Sequence, residues 1–329
     1  MSAVPAEPSR GLSAQFARII ATPPVGPLIV LLVFGIIFAF TNPRFLATQN
    51  LSIILQQTVI IGTLAIGQTL IILTAGIDLA VGAICVLGTI IAGKLLNIGY
   101  DPVLVMGLAV LACSSAGLVA GGLISTLKLP PFIVTLGLLG IITAALRLIS
   151  QGGAFPVNDD FLGWAGNAIR VHGFVLTYGV FIMFILYGLA WYMLNQTKWG
   201  RHVYAIGNNP EAARLVGIPV GRVLLSVYVL AAFIYGVASW LALGRIPNAD
   251  PNALQTANLD SITAVVIGGT SLFGGRGGLM GTLIGALIVG VLRNGLTLAG
   301  IDPLWQDLVT GILVIAAVAL DQMSRGRRI

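Results

Sequence analysis

Apolar runs of helical length follow one another along most of the chain, separated by short polar breaks. Runs at residues 25–40, 51–73, 79–97, 103–126, 131–149, 174–194, 223–243, 259–273, 279–298 and 304–320 each predict a helix. Most are about 20 residues long, or about 30 Å as helix, which is one bilayer hydrocarbon core. The pattern predicts an all-α integral membrane protein of about ten transmembrane helices, the run at 259–273 being the shortest. The first run ends in Thr41-Asn42-Pro43-Arg44 with no small-residue cleavage site, so it reads as a retained span. Residues 1–24 hold Pro5, Pro8, Pro23 and Pro24 and read as a loosely ordered tail. Residues 25–320 then form a single transmembrane domain, and 321–329 a basic tail.

One polar island interrupts the pattern, Gln196 to Arg222, about 27 residues between two full-length apolar runs. It carries Lys198, Arg201, Arg214 and Arg222 against Glu211 alone. Within it, Pro210 followed by Glu211-Ala212-Ala213-Arg214-Leu215-Val216 predicts a short helix. Proline suits a first turn, an acid there complements the helix dipole, and Gly217 can end the helix before Pro219. A short helix held along a membrane surface is a handle on which another protein can push. The plainer alternative is an ordinary connecting loop.

Composition supports the membrane reading. Of 329 residues, 57% are hydrophobic and only 9% charged, with a mean hydropathy of +1.00. Soluble domains carry about 25% charged residues. The net charge of +6 therefore calls for a topological explanation rather than a nucleic-acid partner. With the amino terminus inside and every run crossing, eleven Lys and Arg residues fall inside and six fall outside or at outer span ends. That asymmetry predicts cytoplasmic termini and a cytoplasmic island. Asp101, Asp159, Asp160, Asp250, Asp260, Asp302 and Asp307 fall outside, as does Trp164, an interfacial anchor by residue type. Cys85 and Cys113 lie in apolar runs and read as buried small hydrophobes, and no Cys/His cluster suggests a metal. Gly88 to Lys94 fits GxxxxGK, but Leu95 follows and the context is an apolar helix, so the match is fortuitous. No separate catalytic domain is visible, which argues against an enzyme.

Two stretches rich in small residues predict helix breaks: Gly76-Ile77-Asp78-Leu79-Ala80-Val81-Gly82, and the run around Gly268, Gly269, Gly274, Gly275 and Arg276. Backbone freed at membrane depth survives only inside protein or beside water, so such glycines either line a cavity or allow close packing. Asp78 can cap the following helix or take part in transport, and it could pair with Arg276. Otherwise the span centres hold neutral polar groups: Gln56, Gln57, Gln68, Thr69, Thr135, Asn294 and Thr297. These suit an uncharged, hydroxyl-rich solute, and equally suit hydrogen bonds between helices. Gln68, Thr69, Asp78 and Asn294 are the candidates for a translocation path.

Three motifs carry a resemblance: the Gly76–Gly82 stretch, Asn209 to Ile218 (NPEAARLVGI), and Ile267 to Gly285 (IGGTSLFGGRGGLMGTLIG). On these, from about residue 25 to 320, the chain resembles the membrane permease of bacterial monosaccharide ABC importers, the ribose-type permease family. Glu211-Ala212-Ala213 with Gly217 matches the first half of the EAA signature, while Val227-Tyr228-Val229-Leu230 replaces its usual Ile-x-Leu-Pro. The resemblance implies a fold of ten helices in the inner membrane, paired with a second, identical permease copy. It also implies a cytoplasmic ATPase that holds ATP and magnesium, and a periplasmic sugar-binding protein. The permease itself would bind no cofactor. Glu211, Ala212, Ala213, Arg214 and Gly217 would contact the ATPase, and transport would proceed by alternating access. The competing readings are a permease for a nucleoside, an autoinducer sugar or another small polar solute, and an ion-coupled secondary carrier centred on Asp78.

Overall fold

The computed structural model describes residues 25–326. The expected tail at 1–24 and the last three residues of the expected basic tail lie outside the described residues. Helices run over Val25–Thr41 (α1), Thr48–Leu73 (α2), Val81–Asn97 (α3), Pro102–Thr126 (α4) and Pro131–Ser150 (α5). After a short connecting layer come Tyr178–Gln196 (α7), Lys198–Asn208 (α8), Pro210–Leu215 (α9) and Val220–Arg245 (α10). The chain ends in Ala257–Ile267 (α11), Leu279–Leu298 (α12) and Pro303–Gly326 (α13). Among the described residues six helices (α2, α4, α5, α7, α10 and α12) are long and apolar enough to cross a membrane, with four shorter apolar ones beside them.

α2 is the axis of the bundle, buried almost without interruption from Thr58 to Leu73. It packs against α7, α10, α11 and α12. Lipid tails are as apolar as leucine, so helix association must rest on close packing rather than on hydrophobicity alone. The α4–α10 contact illustrates the solution. A methyl added at Gly117 would lie 2.5 Å from the Tyr228 carbonyl oxygen, and one at Gly121 would lie 3.0 Å from Tyr228 Cβ. Cys85 and Cys113 are buried free thiols in this packing. Gly88 to Lys94 lies inside α3, a continuous helix, as expected of a fortuitous match.

Two departures from the expected elements stand out. The run at 259–273 is helical only over Ala257–Ile267, about half a span, because the Gly268-Gly269 pair ends it. There Thr270 N–H bonds the Val265 carbonyl and Gly269 N–H the Val266 carbonyl, a Schellman closure with Gly269 at φ +85°. α3 likewise starts late, at Val81. The two interruptions meet where Gly275 N–H donates to the Leu73 carbonyl and a methyl on Gly274 would lie 2.8 Å from Ala75 N.

The second departure is a little β-structure at one end. Phe155–Pro156 (β1) pairs with Asn248–Ala249 (β4), and Ala168–Val171 (β2) with Phe174–Thr177 (β3), both antiparallel. The β2–β3 turn is His172-Gly173, both at positive φ, as a two-residue hairpin loop requires. Between β1 and β2 lies a short helix, Asp160–Gly163 (α6), capped by the Asp159 carboxylate. An aromatic stack closes this strand end: Phe161 on Trp240 at 5.2 Å, Trp240 on Trp164 at 5.9 Å, and Trp164 on Tyr178 at 4.7 Å. Trp164 is thus built into a belt of the kind found at membrane interfaces.

Candidate functional site

The opposite end carries an elbow made of α8 and α9. α8 was not expected from the sequence, although Trp199, Val203 and Ile206 repeat at helical spacing within the polar island. The Thr197 hydroxyl caps it by accepting from Gly200 N–H, and Val203 and Ile206 are buried while Lys198 and Arg201 are exposed. Trp199 Nε1 donates to Ser226 Oγ at 2.8 Å, which ties α8 to α10. Tyr204 Oη donates to the Gly277 carbonyl at 3.0 Å. Burial pushes the Tyr204 phenol above its ordinary range, so it remains a donor at neutral pH.

α9 follows after a sharp turn. The Asn209 carboxamide oxygen accepts from the N–H groups of Glu211 and Ala212, with Pro210 at the first helical position. Gly217, at φ +84°, ends the helix, and Ile218 N–H returns to the Ala213 carbonyl. The six residues therefore form one rigid turn-and-a-half whose faces differ sharply. Ala213 points inward, 3% exposed, and belongs to the main core. Glu211, Ala212 and Arg214 are exposed, and beyond them Leu215 and Val216 stand 89% and 77% exposed. Ala213 therefore lies behind the surface of the elbow, whose most exposed apolar residues are Leu215 and Val216.

The elbow is seated on both helix breaks. Gly275 N–H donates to the Leu73 carbonyl at the end of α2. A methyl on Gly274 would lie 2.7 Å from the Gly207 carbonyl oxygen, and one on Gly275 would lie 2.9 Å from Asn208 N. Three backbone segments thus touch directly: the end of α2, the end of α8 and the turn at 268–278. For Gly274 and Gly275 the glycine requirement is close packing. The same holds for Gly268, which faces Gly281, and for Gly76, where a methyl would lie 2.6 Å from Tyr228 Oη. Arg276 is exposed and makes no ion pair with Asp78 among the described residues.

Asp78 is 3% exposed. Its Oδ1 accepts from Ala80 N–H at 2.8 Å, so it closes the turn just before α3. It also interacts electrostatically with Tyr228 and Tyr235 of α10. Of the other path candidates, Thr69 shares a hydrogen bond of 2.8 Å with Thr282, and Asn294 accepts one of 2.9 Å from Asn50. Both are spent on holding helices together. Gln68 is fully buried, and neither of its amide atoms has a hydrogen-bond partner among the described residues.

None of these four lines a polar cavity of about 680 Å³ that lies toward the strand end between α2, α11, α12 and α13. Its walls include Gln57 and Thr297, two of the neutral polar groups picked out in the sequence, and a charged set that local pattern did not reveal. Arg293 donates to Asp260 at 2.8 Å and to Asp307 at 3.0 Å, and to Thr256 Oγ1 at 3.1 Å. Asp260, expected in an outer segment, is 3% exposed within α11.

A glycine-jointed helix bundle with a rigid elbow at one end and a polar cavity toward the other has the parts of a transporter subunit. Residues 50–318 match the family model described as a branched-chain amino acid transport system / permease component. The chain belongs to this permease family. It is 47% identical over 317 residues to the fructose import permease protein FrcC of Rhizobium meliloti, covering 93% of this chain and 87% of that one. The ribose import permease protein RbsC of Escherichia coli (strain K12) is 38% identical over 298 residues, covering 89% and 92%. The galactose/methyl galactoside import permease protein MglC of the same strain is 35% identical over 319 residues, covering 92% and 95%. No solved structure matches the chain. The permease is a multi-pass membrane protein whose named relatives are sugar import permeases.

Proposed function

We propose that this permease is the membrane subunit of an ATP-driven importer that moves a monosaccharide into a bacterial cell across the inner membrane. The observation that carries this reading is the elbow. It presents exposed apolar Leu215 and Val216 on a capped, rigid helix, and that helix is seated by backbone contacts on the ends of α2 and the 268–278 turn. A push on the tip reaches the bundle without passing through a flexible link. An ATPase docked there, holding ATP and magnesium, can tilt α2 and α11 relative to α12 and so alternate the open side of the path. The chain then needs no cofactor of its own.

In this reading all ten apolar segments cross the membrane, the eighth as the half-length α11 continued by the 268–278 turn. The elbow and both termini are cytoplasmic, as the Lys and Arg distribution favours. The strand end, with its aromatic stack, faces the periplasm and receives a sugar-binding protein. A second copy of the permease completes the path. Sugar as cargo is supported by the fructose, ribose and galactose permeases among the relatives. Residues 25–320 act as one transmembrane domain, and 196–222 as its coupling segment.

The test is co-purification of the tagged permease from its native membrane, with mass spectrometry and an ATPase assay. Recovery of an ATPase subunit, lost in Leu215→Asp at unchanged abundance, is the expected result. A stable permease with no ATPase, whose solute uptake collapses with an ionophore, would overturn the reading and move attention to Asp78.

A further inference from the structure

We infer that the cavity lined by Arg293, Asp260 and Asp307 is a station that binds the cargo inside the permease, and that its ligand is a neutral polyhydroxylated molecule of monosaccharide size. The inference rests on the permease reading above and adds a binding site to it. Its volume of about 680 Å³ falls within the range of small-molecule sites, about 300–1,000 Å³. The wall carries two cations, Arg245 and Arg293, and two anions, Asp260 and Asp307, so its formal charge cancels. A site of that balance gives an ion no net attraction, whereas hydroxyl groups can both donate to its carboxylates and accept from its guanidinium groups.

The unused hydrogen-bonding capacity decides the argument. Arg293 is fixed through Nε and Nη2 alone, and its Nη1 has no partner among the described residues. Asp307 accepts through Oδ1, and its Oδ2 has no partner among the described residues. Gln57 presents a buried carboxamide oxygen with no partner among the described residues, a costly arrangement unless a ligand or water supplies a donor. The network holds Arg293 by one edge and leaves the other edge, with Gln57 in the same cavity wall, for a ligand. The ion pairs place α11, α12 and α13 around the same ligand, so binding and the arrangement of these helices are coupled.

Thiol labelling tests the site without relying on transport. Gln255 lines the cavity and is exposed, and Asn167 is exposed at the same end outside it; Cys85 and Cys113 are buried. Purified full-length Gln255→Cys and Asn167→Cys permeases are treated with a membrane-impermeant thiol reagent, with and without D-fructose, D-ribose or D-galactose. Labelling of Gln255→Cys is expected to slow about tenfold at a sugar concentration about ten times its dissociation constant, since only the free site reacts. Asn167→Cys is expected to label at an unchanged rate. Gln57→Ala, which breaks no side-chain hydrogen bond among the described residues, is expected to remove the protection and lower the maximal uptake rate at unchanged abundance. No protection by any of the sugars, in a preparation that retains ATPase-coupled uptake, overturns the station and leaves the permease reading standing. Equal protection by glutamate or by potassium chloride overturns the neutral-ligand assignment. Loss of the ATPase itself bears on the permease reading alone.

Discussion

Ala213 and Leu215 lie two positions apart on one short helix and face opposite ways, and substitution at each has a different consequence. An aspartate at 213 would place an unpaired carboxylate in the core behind the elbow, a cost of several kcal/mol unless the helix moves. Ala213→Asp is therefore expected to lower folded abundance, read by size-exclusion profile in detergent. Leu215→Asp changes a largely exposed side chain and should shift stability by no more than about 0.5 kcal/mol. It is expected to leave the profile intact while abolishing ATP-driven uptake. Equal loss of abundance in both variants would mean that the two faces of α9 do not differ as the geometry requires. The glycines under the elbow are similarly strict. Gly274 combines φ +81° with a carbonyl oxygen at 2.7 Å from any added methyl, so Gly274→Ala is strained both by backbone and by contact. It is expected to cost at least about 1 kcal/mol, seen as a lower melting temperature. At Gly311, in open space and helical, the same change is expected to be neutral or stabilising.

Among the elements, α8 and α9 act as one unit because Asn209 serves both. Its backbone ends α8 and its carboxamide starts α9. Asn209→Ala is expected to remove about 1 kcal/mol from the elbow. Proteolysis near residues 208–217 should then quicken while the bundle's melting temperature stays unchanged, because the affected backbone is exposed and local. The sequence announced α9 plainly, through Asn209, Pro210, Glu211 and Gly217, since caps and breakers act on neighbours in the chain. It also marked the apolar helices, because span length is a property of consecutive residues. α8 was legible through Trp199, Val203 and Ile206, yet the charges at Lys198 and Arg201 masked that stripe. The half-length of α11 was less accessible. Val265, Val266 and Ile267 read straight into Leu272 and Phe273, and only the Gly268-Gly269 pair, folded against Gly281 of α12, stops the helix. Strands β1 and β4 pair across about 90 residues of intervening chain, and two-residue strands carry no alternating pattern to read.

At the scale of the molecule, the Arg293 network joins three helices that the chain lays down separately. Its members sit 33 and 14 positions apart, so no local pattern links them, and each alone reads as an ordinary charge near a span end. What the sequence did offer toward the cavity was Gln57 and Thr297, as neutral polar groups in apolar runs. The network makes an asymmetric prediction. Asp260→Asn leaves Arg293 with Asp307 still at 3.0 Å and with Thr256, so the cation keeps an anionic partner. Arg293→Gln leaves Asp260, whose side chain is 5% exposed, buried beside a second carboxylate without its ion-pair partner, which is the arrangement that costs about 3–5 kcal/mol in buried pairs. Arg293→Gln is therefore expected to lower the melting temperature of the purified permease much more than Asp260→Asn. The double variant should recover part of the loss, because the unpaired carboxylate is gone, giving a coupling energy of at least about 1 kcal/mol. Additive effects would mean that the two groups are solvated independently. In that case the three helices are not joined at this point, and the coupling of ligand to helix arrangement has no physical basis.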